Sequence, residues 1–270
     1  MYSDLAIQTG LIFRKLFNLP LRQTEGFITS LVELLQLSLN VPDYSTFSRR
    51  NKTLSIDLPT RKTNEPVYVV IDSTGAKVFG EGEWKVRQHG WSKHRTWRKL
   101  HLAVDEKTGE ILAATLTPNS TIDAHQVKPL LEQIHRPVTA VGADGAYDRW
   151  CVYDVLQDPP NQDEPIKPII PPRKDAKIKQ HRNSNLPPLP RDETIRSIRC
   201  IGRKQWKIEN NYHRRSIAET AMARYKGING SILKARTMDR QQVEALIGCV
   251  LVNKLGTLAK PDSYKVEKTM

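Results

Sequence analysis

The spacing of apolar positions divides the chain into a helical first part and a longer part that contains strands. Before about residue 58, apolar residues recur at helical spacing over residues 3–17 and 21–39, and a proline follows each stretch. Ser3 and Asp43 are predicted helix N-caps, because their side-chain oxygens can accept hydrogen bonds from the free N–H groups of a first helical turn. Asp43 precedes a third, short predicted helix. The pattern therefore indicates a three-helix N-terminal unit.

After residue 66 the pattern changes to short runs of β-branched and apolar residues, which are typical of strands. Strands are predicted over residues 67–72, 138–148 and 166–172, with two more inside 99–118 that a turn at 106–109 joins. Helices are predicted over residues 123–134, 149–157, 210–227 and 238–259, and a long exposed proline-rich loop over 171–195. This order predicts an α/β fold with a mixed sheet and flanking helices, preceded by the all-helical unit.

The chain is strongly basic, which indicates the kind of partner that it binds. Its 42 lysines and arginines outnumber its 29 acids, giving a formal net charge of +13. Such an excess favours a polyanionic partner, most often nucleic acid, over a basic protein without a specific anionic partner. Hydrophobic residues make up 39% of the chain, enough to bury a core, so wholesale disorder is not expected.

Other features of the composition indicate a cytoplasmic protein without membrane contacts. Three cysteines, Cys151, Cys200 and Cys249, lie far apart without metal-binding spacing, as expected in a reducing compartment. The N-terminus lacks the pattern of a signal peptide, and no apolar run of about 18 residues occurs.

Two acids follow predicted strands at positions where α/β proteins build their sites. Asp72 ends the first strand and Asp144 ends a later one, and sites in open α/β sheets gather at the carboxyl ends of strands. Two carboxylates on neighbouring strands need a compensating charge, which a divalent cation supplies. Mg²⁺ and Mn²⁺ prefer oxygen ligands, and a third carboxylate would complete a pair of metals about 4 Å apart.

Glu219 is the candidate third carboxylate. On the predicted helix it shares one face with Arg215, Met222 and Lys226, with Tyr212 at the N-terminal end of that face. Ile217, Ala221 and Tyr225 lie on a different face that can be buried. Cations beside a carboxylate suit a site where metal and DNA phosphate meet. The alternatives are an ordinary Arg215–Glu219 surface ion pair and a turn role for Asp72.

Three other acids compete with this set and are given structural roles. Asp105 lies at the hairpin turn, where aspartate makes local hydrogen bonds. Asp123 and Asp148 each precede a predicted helix and are expected to cap it.

Basic residues form two further candidate DNA contacts. Cations alternate with tryptophans over residues 83–101, which suits phosphate neutralisation and base stacking, although the tryptophans fit a core role equally well. The predicted DNA-binding cations there are Arg87, Lys93, Arg95 and Arg98, and the tryptophans are Trp84, Trp91 and Trp97. Arg49 and Arg50 lie on the third N-terminal helix, which fits a helix-turn-helix or a plain packing unit.

The motifs around these residues resemble one protein family. Tyr212, Arg215, Glu219 and Lys226 have the spacing of the Y-R-E-K signature of bacterial insertion-sequence transposases, and IDSTG around Asp72 and ADGAYD around Asp144 are similar to the acidic motifs of DDE transposases. The similarity extends over residues 2–10, 19–35, 41–50 and 82–105, and is strongest to the insertion sequence five group.

This resemblance implies a ribonuclease-H-like core in which Asp72, Asp144 and Glu219 form a catalytic triad. It implies that the triad binds two Mg²⁺ ions, for which Mn²⁺ can substitute, and that Tyr212, Arg215 and Lys226 contact the DNA backbone. The expected reaction is DNA cleavage and strand transfer at insertion-sequence ends. The expected partners are double-stranded terminal inverted repeats, target DNA and, on DNA, a second copy of the chain.

We therefore expect a helical, DNA-binding domain over residues 1–60, a catalytic domain over 61–258 and a polar tail over 259–270. Relatives usually carry a further basic segment before the motif at residue 2, so a truncated, inactive DNA-binding remnant is one alternative. A nuclease that does not join strands is another, and a general polyanion-binding protein is a third.

Overall fold

The computed structural model describes residues 2–61, 63–79, 97–180 and 187–258. In these ranges the N-terminal helices are α1 (Asp4–Leu16), α2 (Leu21–Leu34) and α3 (Tyr44–Arg50). Both predicted N-caps are confirmed. Ser3 Oγ accepts from the Ala6 N–H at 3.2 Å, and Asp43 Oδ1 accepts from the N–H groups of Ser45 and Thr46 at 2.8 and 2.9 Å.

The described strands form one six-stranded mixed sheet. Its order is β3-β2-β1-β4-β5, with β6 paired to the end of β1. β1, β2 and β3 are antiparallel neighbours, whereas β4 is parallel to β1, and β5 to β4. The bounds are β1 (Val67–Val78), β2 (Trp97–Asp105), β3 (Ile111–Pro118), β4 (Val138–Gly142), β5 (Lys167–Ile169) and β6 (Ile232–Leu233).

Helices cover both faces of this sheet. Val69 and Ile71 pack on one side under α4 and α5, and Val70 packs on the other side against α8 and α9, as the alternation of a strand requires. The fold is thus α/β and ribonuclease-H-like, as predicted. These helices are α4 (Val127–Leu131), α5 (Trp150–Gln157), α6 (Pro190–Ile201), α7 (Arg203–Glu209), α8 (Ser216–Asn229) and α9 (Met238–Leu258). Short 3₁₀ turns lie at Asp123–Gln126, Gly145–Tyr147 and Tyr212–Arg215.

The N-terminal helices share a core with the last helix. Ile7, Leu11 and Phe47 pack with Val243 and Ile247 of α9. The Phe47 ring lies against Gly10, where an added Cβ would come within 2.3 Å of a ring carbon, so only glycine fits that contact. The predicted domain boundaries at residues 60 and 258 stay predictions.

Several parts of the secondary-structure prediction were wrong. α2 ends before residue 39, because Gln36 has a left-handed φ of 52° that stops the helix. α6 begins inside the stretch predicted as a loop, since Pro190 suits a first helical turn. α7 and β6 were not predicted. Residues 210–227 are not one helix, because left-handed Asn211 and a 3₁₀ turn precede α8.

Among the described residues, no helix is long and apolar enough to cross a membrane.

The hairpin turn at residues 106–109 is confirmed, with Gly109 at a φ of 71°. The structural role predicted for Asp105 is also confirmed, since its Oδ1 accepts from the Lys107 N–H at 2.8 Å.

Candidate active site

Asp72 and Asp144 lie at equivalent positions of two parallel neighbours in the sheet. The last paired residues of β1 and β4 are Val70 and Gly142, and each acid comes two residues later. The prediction that Asp72 ends its strand was wrong, because β1 continues to Val78 through pairing with β2. The two carboxylates nevertheless share one edge of the parallel part of the sheet.

Local hydrogen bonds hold both carboxylates. Asp72 Oδ1 accepts from the Ser73 N–H at 2.8 Å. Asp144 caps the 3₁₀ turn at Gly145–Tyr147, where its Oδ1 accepts from the Ala146 N–H at 2.9 Å. One oxygen of each carboxylate thus accepts a backbone hydrogen bond that orients the side chain, and the other oxygen takes no part in these local bonds.

Glu219 is linked to Asp72 through Arg215. One guanidinium nitrogen of Arg215 donates to Asp72 Oδ2 at 3.1 Å, and another donates to Glu219 Oε1 at 2.6 Å. The Asp72 side chain is 18% exposed, whereas that of Glu219 is 57% exposed. The Arg215–Glu219 surface pair, one of the alternatives from the sequence, therefore exists as part of a bridge to Asp72.

The three carboxylates influence one another electrostatically. Burial raises the pKa of Asp72, and the negative charges of Asp144 and Glu219 raise it further, while the Ser73 N–H and Arg215 oppose the shift. Burial alone would lower the pKa of Arg215, but Tyr212 and the three acids raise it above its usual value. Negative charge is therefore crowded around one guanidinium.

The described residues contain no group of three acidic, histidine or cysteine side chains placed to hold one metal ion. Arg215 supplies the positive charge that links Asp72 to Glu219 in this arrangement. The chemistry of the donors nevertheless fits Mg²⁺ or Mn²⁺, because all three are carboxylates. A metal bound by Asp72 and Glu219 together would have to displace the guanidinium.

The other residues of the Y-R-E-K spacing occupy different surroundings. Tyr212 lies in the 3₁₀ turn before α8, with its ring centroid 6.3 Å from that of Trp206 and 6.0 Å from the Arg215 guanidinium carbon. Lys226 is exposed on α8, two turns beyond Glu219. Met222, predicted on the same face, is instead buried in the core with 8% of its surface exposed.

Asp123 does not cap a helix, contrary to prediction, since Ile122 is the N-cap of that 3₁₀ turn. Its carboxylate accepts from Ser73 Oγ at 3.0 Å and from Lys99 Nζ at 2.8 Å. It therefore supports the residue next to Asp72. Nothing in the local sequence indicates this role, because Ser73 lies on β1 and Lys99 on β2, both distant from Asp123 along the chain.

Asp148 does not cap its helix either, because α5 has Arg149 at its N-cap position. The fully buried side chain of Asp148 forms an ion pair with Arg191, whose Nε and Nη2 donate at 2.6 and 2.9 Å. Tyr153 Oη and the Arg173 N–H also donate to it, at 3.1 and 3.0 Å. Burial would raise the pKa of Asp148, but these donors lower it below its usual value.

The predicted DNA-binding cations outside α8 are scattered. Arg50 forms an ion pair with Asp4, and Arg49 donates to Thr46 Oγ1 at 3.2 Å. Arg98, which is half-buried, donates through Nε to Gln241 Oε1 at 2.8 Å. Arg87, Lys93 and Arg95, with Trp84 and Trp91, lie outside the described residues. Trp97 begins β2, half-buried, with Lys77 Nζ 5.5 Å from its ring centroid.

Comparisons with known proteins agree with this fold. Residues 63–254 match a family model described as a transposase DDE domain, and residues 1–81 match a second model with the same description. No solved structure matches the chain. Because the first match spans well over half of its length, the chain belongs to the DDE transposase family.

Proposed function

We propose that this transposase cleaves DNA at the terminal inverted repeats of an insertion sequence and joins the cut ends to target DNA. The observation that carries the proposal is the position of Asp72 and Asp144, each two residues after the last paired residues of two parallel strands, with Glu219 linked to Asp72 through Arg215. The net charge of +13 suits a DNA substrate.

Asp72, Asp144 and Glu219 are the residues that would hold the metal, two Mg²⁺ ions or Mn²⁺ in their place. Such ions, when bound, stabilise charge on the attacking and leaving oxygens of a phosphodiester. The raised pKa of Asp72 supports a cation site, since burial and two neighbouring carboxylates disfavour its ionised form unless positive charge is near.

The cations beside the triad would hold the DNA. The guanidinium of Arg215, once released from Asp72, can grip a phosphate through two parallel hydrogen bonds. The Tyr212 ring lies beside that guanidinium and limits where it can move. Lys226 offers a point charge two turns further along α8. Water attacks first and releases a 3′-hydroxyl, which then attacks a target phosphate and displaces the 3′-oxygen of the target strand.

We further place the chain in the insertion sequence five group and propose that it acts on DNA as a homodimer. The Y-R-E-K spacing at Tyr212, Arg215, Glu219 and Lys226 supports the group assignment. Two DNA ends must be joined in one reaction, which supports the dimer.

A cutting and joining assay tests the proposal. Duplexes that carry the inverted repeats flanking the gene are expected to be cut in Mg²⁺ or Mn²⁺ and left intact in EDTA. Pre-cut ends are expected to be joined to a supercoiled plasmid. Cutting without joined product would mean a nuclease, and DNA binding without cutting would mean an inactive remnant. Either result overturns the proposed transposition reaction.

Arg215→Ala is expected to strengthen Mn²⁺ binding while it slows DNA cleavage. The metal must displace the Arg215 ion pair, and a partly exposed ion pair contributes up to about 1 kcal/mol of interaction free energy. Without this pair, Mn²⁺ is expected to bind about fivefold more tightly. Isothermal titration with Mn²⁺ measures this effect. Arg196→Ala is the control, because Arg196 pairs with Glu193 on α6, away from the triad. Equal or weaker Mn²⁺ binding by Arg215→Ala would show that Arg215 does not compete with metal.

A further inference from the structure

A cleft of about 560 Å³ separates the N-terminal helices from the segment that follows α8. Arg14 and Lys15 line it from α1, Ile232 and Lys234 from β6 and the loop after it, and Glu244 from α9. The cleft is distinct from the acid triad, since none of Asp72, Asp144 and Glu219 lines it.

The cations in this cleft are not neutralised by the acid that it contains. The carboxylate of Glu244 is 6% exposed and accepts from Lys15 Nζ at 3.1 Å. It also accepts from the N–H groups of Lys234 and Ala235, at 2.9 and 2.8 Å. Glu244 therefore pairs with Lys15 and with the backbone, and it does not neutralise the positive charges of Arg14 and Lys234.

Within the described ranges, neither of those two charges has an acidic partner. In the described part of the chain, no carboxylate lies within ion-pair distance of Arg14, and its buried Nε has no hydrogen-bond partner. Lys234 Nζ contacts the neutral side-chain oxygen of Asn18. A buried, unpartnered guanidinium donor costs free energy unless a ligand satisfies it, so the cleft is suited to an anion.

The cleft lies at the C-terminal end of α8, the helix that carries Glu219. Ile228 and Asn229 in the last turn of α8 and Gly230 just after it line the cleft. Eleven residues at 1.5 Å each place the cleft about 16 Å from Glu219. A DNA strand advances 3.4 Å per nucleotide, so that distance corresponds to about five nucleotides.

We propose that Arg14 and Lys234 bind the phosphodiester backbone of the DNA about five nucleotides from the reacting phosphate. This rests on the proposed function, because it takes DNA as the substrate of the triad. Exposed Leu16 and Ile232 at the same cleft offer apolar surface to the deoxyribose between phosphates. The N-terminal helices and the catalytic core would thus grip one strand together.

The salt dependence of DNA binding tests this site. The probe is a generic duplex of about 40 base pairs, titrated between 50 and 200 mM NaCl. The variant with Arg14→Ala and Lys234→Ala is expected to reduce the salt slope by about two, so that its loss of affinity over this range is about tenfold smaller than that of wild type. Lys234→Ala alone, at an exposed side chain, is expected to reduce the slope by about one.

Lys128→Ala is the matched control, since Lys128 is exposed on α4, on the opposite face of the sheet from α8. Its slope is expected to equal that of wild type. If wild type binds and cuts DNA and both cleft variants keep the wild-type slope, the cleft is not a DNA site and the proposed function stands. If wild type itself binds no DNA, the proposed function and this inference fail together.

Discussion

Replacing Glu219 with glutamine is expected to lower the rate of DNA cleavage by about a thousandfold or more. The change removes one negative charge from the triad and leaves the length of the side chain unchanged. A thousandfold corresponds to about 4 kcal/mol of lost transition-state stabilisation, which is within the range of charge stabilisation by bound metal. Cleavage of duplexes that carry the flanking inverted repeats, followed in Mg²⁺ or Mn²⁺, measures the effect.

Glu193→Gln is a closely matched control for this experiment. Glu193 pairs with Arg196 on α6, as Glu219 pairs with Arg215 on α8, and the two glutamates are 53% and 57% exposed. Because Glu219 is exposed, loss of folding is not expected to account for its effect. Asp72→Asn and Asp144→Asn are expected to be equally inactive, and all three variants should still bind DNA. Normal cutting by any one of them would disprove the metal triad.

Asp148→Ala is expected to lower the free energy of unfolding by about 3–5 kcal/mol, the usual cost of leaving one partner of a buried ion pair alone. The substitution leaves the mostly buried Arg191 without its carboxylate and takes an acceptor from Tyr153 and from the Arg173 N–H. Urea unfolding followed by circular dichroism measures the change. Mn²⁺ binding is expected to stay unchanged, because Asp148 is not in the triad.

Asp154→Ala is the control, since Asp154 is exposed on the same helix, α5. The two variants should also differ in their pH dependence. Hydrogen bonds lower the pKa of Asp148 in the folded state, so its contribution is present above the unfolded pKa of about 3.9 and is lost as pH falls through the folded value. Asp148→Ala should lack this acid-sensitive part of the stability. If its unfolding matches that of Asp154→Ala, the ion pair contributes little.

The prediction from sequence was most accurate for features that depend on residues close together in the chain. Both N-caps, the hairpin turn and the last helix depend on residues a few positions apart, and all were found. α6 and α7 were missed because both are polar in composition and bury few side chains, among them Ile195 and Trp206. α6 also begins within the proline-rich stretch that predicts a loop.

The roles of single acids were harder to predict, because their partners are distant in sequence. Asp123 and Asp148 each looked like a helix cap, yet one bonds to Lys99, 24 positions away, and the other to Arg191, 43 positions away. The contact between Arg215 and Asp72 spans 143 positions. Helical spacing could place Arg215 beside Glu219, but only the sheet brings Asp72 to the same guanidinium.

The shared core of α1 and α9 has a consequence for how the protein is made. The ion pair between Lys15 and Glu244 joins residues 229 positions apart, so α1 leaves the ribosome long before its partner exists. Contacts of such separation form late and slowly. A nascent chain that stops before α9 would leave uncovered the sides of Ile7 and Phe47 that pack against Val243 and Ile247. Copies without α9 would therefore be less stable than the complete fold.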